Sequence, residues 1–104
     1  MIRAVFQSDG SGRYVGYTVR GHAGYAPEGE DIVCAAASSL AISCCNALET
    51  VAGIKPEAHM ADGNLRVSIR DDSHDAQVIL RVLRQGLLDL QEQYPRYITV
   101  NESK

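Results

Sequence analysis

Hydrophobic and polar side chains alternate along the first twenty residues, and this pattern predicts two β-strands. In the first strand, Ile2, Ala4 and Phe6 fall on one side of the chain and the residues between them fall on the other. The alternation resumes over residues 13–20, after a stretch of turn-forming residues at 8–12. Two alternating segments joined by a short polar turn favour a β-hairpin.

After a glycine-rich loop the apolar period lengthens to between three and four residues, which predicts a long amphipathic helix. This spacing begins at Val33, and the carboxylate of Asp31 is placed to cap the first turn. Gly53 and Pro56 mark the end of the helix. Small residues over 35–41 would let the helix pack closely against a sheet or a second subunit.

The second half of the chain follows the same plan of hairpin and helix, without a residue-level repeat. The predicted elements are a strand at 57–61, the turn Asp62-Gly63, a strand at 65–70, a helix capped by Asp71, Asp72 or Ser73, and a strand at 97–100. Gly86 interrupts the second helix at a cost of about 1 kcal/mol relative to Ala, which indicates a close packing contact.

The element order ββαββαβ predicts the fold class. We expect an α/β domain in which a mixed, largely antiparallel β-sheet packs with two α-helices. The length of 104 residues corresponds to one domain, over 1–104. Hydrophobic residues at 45% and charged residues at 22% argue against disorder.

Charge, hydropathy and cysteine content argue against several classes of function. The net charge of −3 argues against nucleic acid as a main ligand. No apolar run approaches membrane-spanning length, and the N-terminus does not resemble a signal peptide, so we expect a cytoplasmic protein without a membrane partner. Three cysteines, two of them adjacent and none in a CxxC motif, indicate neither a disulfide framework nor a zinc site. No metal or cofactor is expected.

One histidine and one cysteine stand at the two ends of the glycine-rich loop. His22 follows the second strand, and Cys34 lies in the first turn of the helix. Because a helix that follows a strand begins at the edge where the strand ends, both residues belong to one edge of the sheet. The glycines at 21, 24 and 29 give the loop between them reach and mobility.

This placement suits nucleophilic catalysis by a thiolate. The positive end of the helix dipole favours an ionised thiol at Cys34, and a neighbouring imidazolium favours it further. We expect the amides of residues 33–35 to remain unpaired and to form an oxyanion hole. Asp31 either caps the helix or orients His22, and Ser38 is placed to hydrogen-bond near the site. A structural role also stays open, because a lone helical cysteine is usually a small core residue.

The segments Gly21-His22-Ala23-Gly24 and Asp31-Ile32-Val33-Cys34-Ala35-Ala36-Ala37-Ser38, joined by a loop of this length, resemble the bacterial ribosomal-processing cysteine protease family. The resemblance covers the whole chain. It implies an endopeptidase that removes the N-terminal extension of a large-subunit ribosomal protein, the twenty-seventh of the bacterial set. It assigns the nucleophile to Cys34 and the base to His22, with Asp31 and Ser38 in supporting positions.

The resemblance also implies a homodimer and a flexible substrate loop. The residues assigned to that loop are Gly21, Ala23, Gly24, Tyr25 and Gly29. Glu28 and Glu30 beside Asp31 would make one lip of the site acidic and so attract a basic ribosomal protein. The family implies an apolar pocket for which Tyr25 is a candidate wall. The alternative function is a non-catalytic ribosome-assembly or protein-binding module with the same fold.

Overall fold

A computed structural model describes residues 1–27, 31–70 and 73–104. The elements in chain order are β1 (Ile2–Ser8), β2 (Tyr14–Arg20), α1 (Ile32–Thr50), β3 (Glu57–Ala61), β4 (Asn64–Ser68), α2 (His74–Gln93) and β5 (Ile98–Ser103). The predicted order ββαββαβ is confirmed.

The five strands form one sheet in the order β3-β4-β2-β1-β5. β1 pairs antiparallel with β2 and parallel with β5, while β4 pairs antiparallel with both β2 and β3. The predicted mixed, largely antiparallel sheet is therefore confirmed. β5 runs to Ser103, three residues beyond the predicted end, because its parallel pairing with β1 continues as far as Gln7.

Both helices pack on one face of the sheet. On β1 the core side chains Ile2, Ala4 and Phe6 are buried, as their alternation predicts, while Arg3 between them is exposed. The opposite face of the sheet carries mostly polar side chains and has no layer over it in the described part of the chain. The fold is thus a two-layer sandwich of one sheet and one helical layer.

The contact between the two helices explains a glycine. A Cβ at Gly86 of α2 would lie 3.0 Å from Leu40 Cδ1 of α1. The close packing contact predicted from Gly86 is therefore confirmed. Ser73 caps α2 by accepting a hydrogen bond from the Ala76 amide at 3.1 Å, while the other two candidate caps, Asp71 and Asp72, lie outside the described residues.

α1 corrects one expectation about membranes. Its 19 residues have a mean hydropathy of 1.5, which is long and apolar enough to cross a membrane by length and composition alone. The core helix of a soluble protein passes the same test. In this fold Val33, Ala37, Ala41 and Leu48 bury one side of α1 in the core.

A hydrogen bond from the sheet fixes α1. Tyr17 of β2 is fully buried, and its hydroxyl donates to the Ala41 carbonyl at 2.8 Å. Burial raises the pKa of Tyr17, so the hydroxyl keeps the proton that it donates. This bond links the middle of α1 to the strand that leads into the glycine-rich loop.

We expect Tyr17→Phe to lower the free energy of unfolding by about 1 kcal/mol, because a buried hydrogen bond contributes roughly that amount. Urea denaturation of both proteins measures the difference. Tyr97→Phe is the control, since the Tyr97 hydroxyl makes no hydrogen bond within the described ranges. Equal stability of the two variants would contradict a structural role for the bond.

Candidate active site

His22 and Cys34 line one cavity of about 550 Å³ between α1 and the β3–β4 hairpin. The structure therefore brings the two predicted residues to the same edge of the sheet. Asp31 and Ser38 line the same cavity. Ser38 lies one helical turn after Cys34, on the same side of α1.

Cys34 is held from both sides. It lies in the first turn of α1, where it is half-buried, and its Sγ accepts a hydrogen bond from the Ala23 amide at 3.3 Å. Ala23 itself is buried. The loop residue that follows His22 therefore contacts the thiol directly.

His22 lies over the turn of the neighbouring hairpin. A Cβ on Gly63 would lie 2.8 Å from His22 Nε2, so the imidazole occupies space that only a glycine leaves open. No hydrogen bond joins the His22 side chain to Cys34 or Asp31, all three of which are described residues. In this structure His22 is therefore positioned by packing on Gly63, and Asp31 does not orient it.

Gly21 connects the end of β2 to that hairpin. Its amide donates to the Gly63 carbonyl at 2.7 Å. Its φ is 93°, and a Cβ there would lie 2.4 Å from the Met1 carbonyl oxygen. The position therefore requires glycine for its backbone conformation and for space. Gly21 was predicted to be part of a mobile loop, but its hydrogen bond to Gly63 fixes the direction of the chain where it leaves the sheet at His22.

Asp31 holds the helix start and the loop with one carboxylate. Oδ1 accepts from the amides of Val33 at 3.0 Å and Cys34 at 2.9 Å, which confirms the predicted cap. Oδ2 accepts from the Tyr25 amide at 3.1 Å. Desolvation acts to raise the pKa of Asp31, but hydrogen bonds from the backbone amides of Cys34, Tyr25, Ala26 and Val33 outweigh it, and the pKa is lowered.

The same hydrogen bonds overturn the predicted oxyanion hole. The amides of Val33 and Cys34 are bound to the Asp31 carboxylate, and the Ala35 amide donates to the Asp31 carbonyl at 3.0 Å. The expectation that these three amides stay unpaired is wrong, because the capping residue occupies them. The amide that does face Cys34 Sγ belongs to Ala23.

Tyr25 does not form a wall of the cavity, which corrects another expectation. Its ring packs edge-on against Tyr94 and Tyr97, with centroid distances of 5.6 and 5.2 Å. Gly24 and Ala26, on either side of it, do line the cavity. Tyr25 therefore fastens the loop to the end of α2. Glu28, Gly29 and Glu30, the remaining loop residues, lie outside the described residues.

The apolar part of the cavity comes from elements that the sequence pattern did not connect to the site. Ile42 of α1 and Met60 of β3 line it while remaining 39% and 65% exposed, and Leu65 of β4 contributes a buried wall. The strong turn signal at Asp62-Gly63 was the sequence feature that could have drawn attention to this hairpin.

The other two cysteines have a different environment. Cys44 and Cys45 are half-buried farther along α1, and burial raises the pKa of each thiol. Neither lines the cavity. Within residues 1–27, 31–70 and 73–104, no group of three His, Cys, Asp or Glu side chains is arranged to hold a metal ion.

Comparison with known proteins decides the family. The family model described as cysteine protease Prp matches residues 1–99. The chain belongs to the Prp family of cysteine proteases. A ribosomal processing cysteine protease Prp of Staphylococcus aureus is 29% identical over 104 residues, covering 97% of this chain and 98% of the relative.

Solved structures superpose on this chain over nearly its whole length. The S. aureus Prp protease in complex with a covalently linked product peptide superposes with a TM-score of 0.95 at 27% identity, covering 99% of this chain and 100% of that one. The S. aureus complex with a substrate peptide gives 0.89 at 26% identity, with the same coverage. A Streptococcus mutans protein gives 0.83 at 29% identity, covering 98% and 93%. The chain is thus a cysteine protease with the Prp fold.

We expect Gly63→Ala to lower kcat/KM for peptide cleavage, because the new methyl group would displace the His22 imidazole. Gly53→Ala is the matched control. Gly53 has a φ of 73° against 68° for Gly63, but a Cβ there meets no atom within 4 Å. Both variants should lose about 1–2 kcal/mol of stability from the left-handed backbone, and only Gly63→Ala should lose activity. Equal kcat/KM values for the two would contradict the positioning role.

Asp31→Asn should separate the two roles of the carboxylate. The amide oxygen can still cap α1, but the amide nitrogen cannot accept from Tyr25, so we expect lower kcat/KM with little loss of stability at neutral pH. Asp31→Ala should in addition lose about 1 kcal/mol from the missing cap. Unchanged kcat/KM in both variants would rule out a role for the loop contact.

The acid titration of folding provides a second measurement at Asp31. A lowered folded pKa means that the wild-type carboxylate stabilises the fold above its unfolded pKa of about 3.9, and that this stabilisation is lost as the pH falls below that value. Asp31→Asn should flatten this part of the stability profile, as followed by circular dichroism.

Proposed function

We propose that this protease removes the N-terminal extension of a large-subunit ribosomal protein, the twenty-seventh of the bacterial set, with Cys34 as nucleophile and His22 as base. The observation that carries the proposal is the shared cavity, in which the Cys34 sulfur receives the Ala23 amide and His22 lies on the facing hairpin. The family relatives named as ribosomal processing proteases support the substrate class.

Peptide cleavage by Cys34 needs one side chain that carries protons between the thiol, the leaving amine and water. His22 takes the proton of Cys34, and the thiolate attacks the scissile carbonyl carbon to form a carbon–sulfur bond. His22 returns the proton to the leaving amine as the carbon–nitrogen bond breaks, leaving an acyl-enzyme. Water, losing a proton to His22, then cleaves the thioester, and the thiol is restored. His22 and Cys34 share no hydrogen bond in the free protein, and such bonds often tighten only when substrate is present.

The cavity suits a peptide with apolar residues before the cut. Ile42 and Met60 present exposed apolar side chains in the cavity that Cys34 lines, so an extended peptide between α1 and β3 would cover them. The S. aureus complex with a covalently linked product peptide supports a covalent route in this fold. A non-catalytic binding role is disfavoured, since the curated relative is named as a protease.

We further propose a cytoplasmic homodimer, as the family resemblance implies. Exposed apolar side chains on the helical layer are consistent with contact between subunits. Among them are Ile32 and Val51 at the ends of α1, and Val78 and Val82 one turn apart on α2.

Cys34→Ala should abolish cleavage of the ribosomal protein precursor, and His22→Ala should lower kcat by roughly 10²–10⁴-fold, the usual contribution of general acid–base catalysis. Mass spectrometry of the precursor after incubation measures both. Cys44→Ala is the matched control for Cys34→Ala, because it removes a thiol from the same helix without touching the cavity.

Two outcomes would count against the proposal. Wild-type turnover by Cys34→Ala would remove Cys34 as nucleophile. Cleavage of other peptides by the wild-type protein, with the precursor left intact, would keep the protease and reject the ribosomal substrate. Far-ultraviolet circular dichroism of each variant separates lost catalysis from lost folding.

A further inference from the structure

The sheet face opposite the helices carries a stripe of arginine and histidine side chains. Because successive side chains of a strand point to opposite faces, Arg3 lies on the face away from buried Ile2 and Ala4. The antiparallel register places Arg20, Arg66 and His59 on the same face, one on each of β2, β4 and β3. All four side chains are exposed. We call these four residues the basic stripe.

The register sets two positive charges against each other, because Arg3 is directly opposite Arg20. Arg66 is directly opposite His59. Like charges directly opposite one another destabilise a sheet. Within residues 1–27, 31–70 and 73–104, none of the three arginines of the stripe forms an ion pair. No carboxylate of the described residues is therefore paired with Arg3 or Arg20 to offset their repulsion.

A cavity of about 280 Å³ opens along the stripe. Arg20, His59 and Arg66 line it together with the polar side chains of Thr18 and Asn64. Arginine, threonine and asparagine side chains donate hydrogen bonds to phosphate oxygens in nucleic acid complexes. The cavity is separate from Cys34, but the β3–β4 hairpin lies between the two sites and lines both.

The charge of this face differs from that of the whole chain. The net charge is −3. By the alternation of the described strands, the same face has one carboxylate, that of Glu57, and it is engaged by Arg70 at 3.2 Å. The overall acidity argued against nucleic acid, yet the other acidic residues that the structure describes lie outside this face of the strands. The face is locally basic.

We propose that the basic stripe binds the phosphate backbone of RNA. The stripe crosses four neighbouring strands, a distance of about 15 Å at the usual strand spacing, and one nucleic acid strand presents a charge about every 3.4 Å. A protein partner fits less well, because the centre of a protein interface combines arginine with aromatic and apolar side chains, and the stripe has no tyrosine, tryptophan or phenylalanine beside its arginines. A relative of this chain is named a ribosomal processing protease, and ribosomes consist largely of RNA.

The composition of the face also predicts the mode of binding. Tyr14 has the same parity as Arg20 along β2, but the pairing with β1 is irregular there and the Tyr14 ring packs on the core residue Phe6. Apart from His59, the described strands therefore place no aromatic side chain on this face, so stacking on bases contributes little. Recognition is then electrostatic, independent of base sequence and sensitive to salt. This inference does not depend on the peptidase mechanism, because Arg20 and Arg66 do not line the cavity of Cys34.

Fluorescence anisotropy with a labelled single-stranded RNA of mixed sequence tests the proposal over a salt series. Each phosphate contact with a single strand contributes about 0.7 to the slope of log K against log salt. The double variant Arg20→Gln/Arg66→Gln loses two such contacts, so the magnitude of its slope should fall by about 1.4. Near 0.1 M salt this corresponds to about 25-fold weaker binding. Arg81→Gln/Arg96→Gln, which removes the same charge from α2 and from the turn before β5, should leave the slope unchanged.

Three results would overturn the proposal. The first is no binding of the wild-type protein to the RNA at low salt. The second is an equal loss of affinity in the two double variants. The third is displacement of the labelled RNA by polyglutamate of matched charge as effectively as by unlabelled RNA. The last result would assign the stripe to acidic protein. Arg20→Gln/Arg66→Gln should unfold at the same temperature as the wild type or a higher one, because the variant loses the repulsion between Arg3 and Arg20. Its cleavage of a free peptide should be unchanged, and the two measurements together show that the variant is folded.

Discussion

The two-sided attachment of the Asp31 carboxylate is the contact on which the site depends. One oxygen binds the amides that open α1, and the other binds the Tyr25 amide of the loop. The strand that leads to His22 and the helix that carries Cys34 are thereby joined at one point. Because the Ala23 amide lies on this tethered loop, its hydrogen bond to the Cys34 sulfur depends on the same attachment.

The β3–β4 hairpin completes the site from the opposite side. Gly63 receives the His22 ring, and its carbonyl accepts the Gly21 amide, so a single turn sets both the direction of the chain and the position of the imidazole. Met60, on the same hairpin, supplies part of the apolar wall. The β3–β4 hairpin supplies no catalytic side chain, but it sets the position of His22 and forms one wall of the cavity.

The two faces of the sheet differ in character, one being apolar and covered by the helices and the other basic and uncovered in the described part of the chain. The helix-covered face holds the aliphatic core and opens at one end into the Cys34 cavity. The uncovered face presents the basic stripe. Strand alternation produces both faces from the same strands, and the β3–β4 hairpin borders both cavities.

Local signals in the sequence determined the elements and the chemistry-bearing positions. Alternation and helical spacing gave the order ββαββαβ, and Asp31 marked the helix start that carries Cys34, because periodicity and capping depend on near neighbours in the chain. Only the tertiary structure decided which amides remain available, what supports His22 and where Tyr25 lies. Those outcomes depend on contacts between residues far apart in sequence, such as Gly63 with His22 and Tyr25 with Tyr94, which no local pattern encodes.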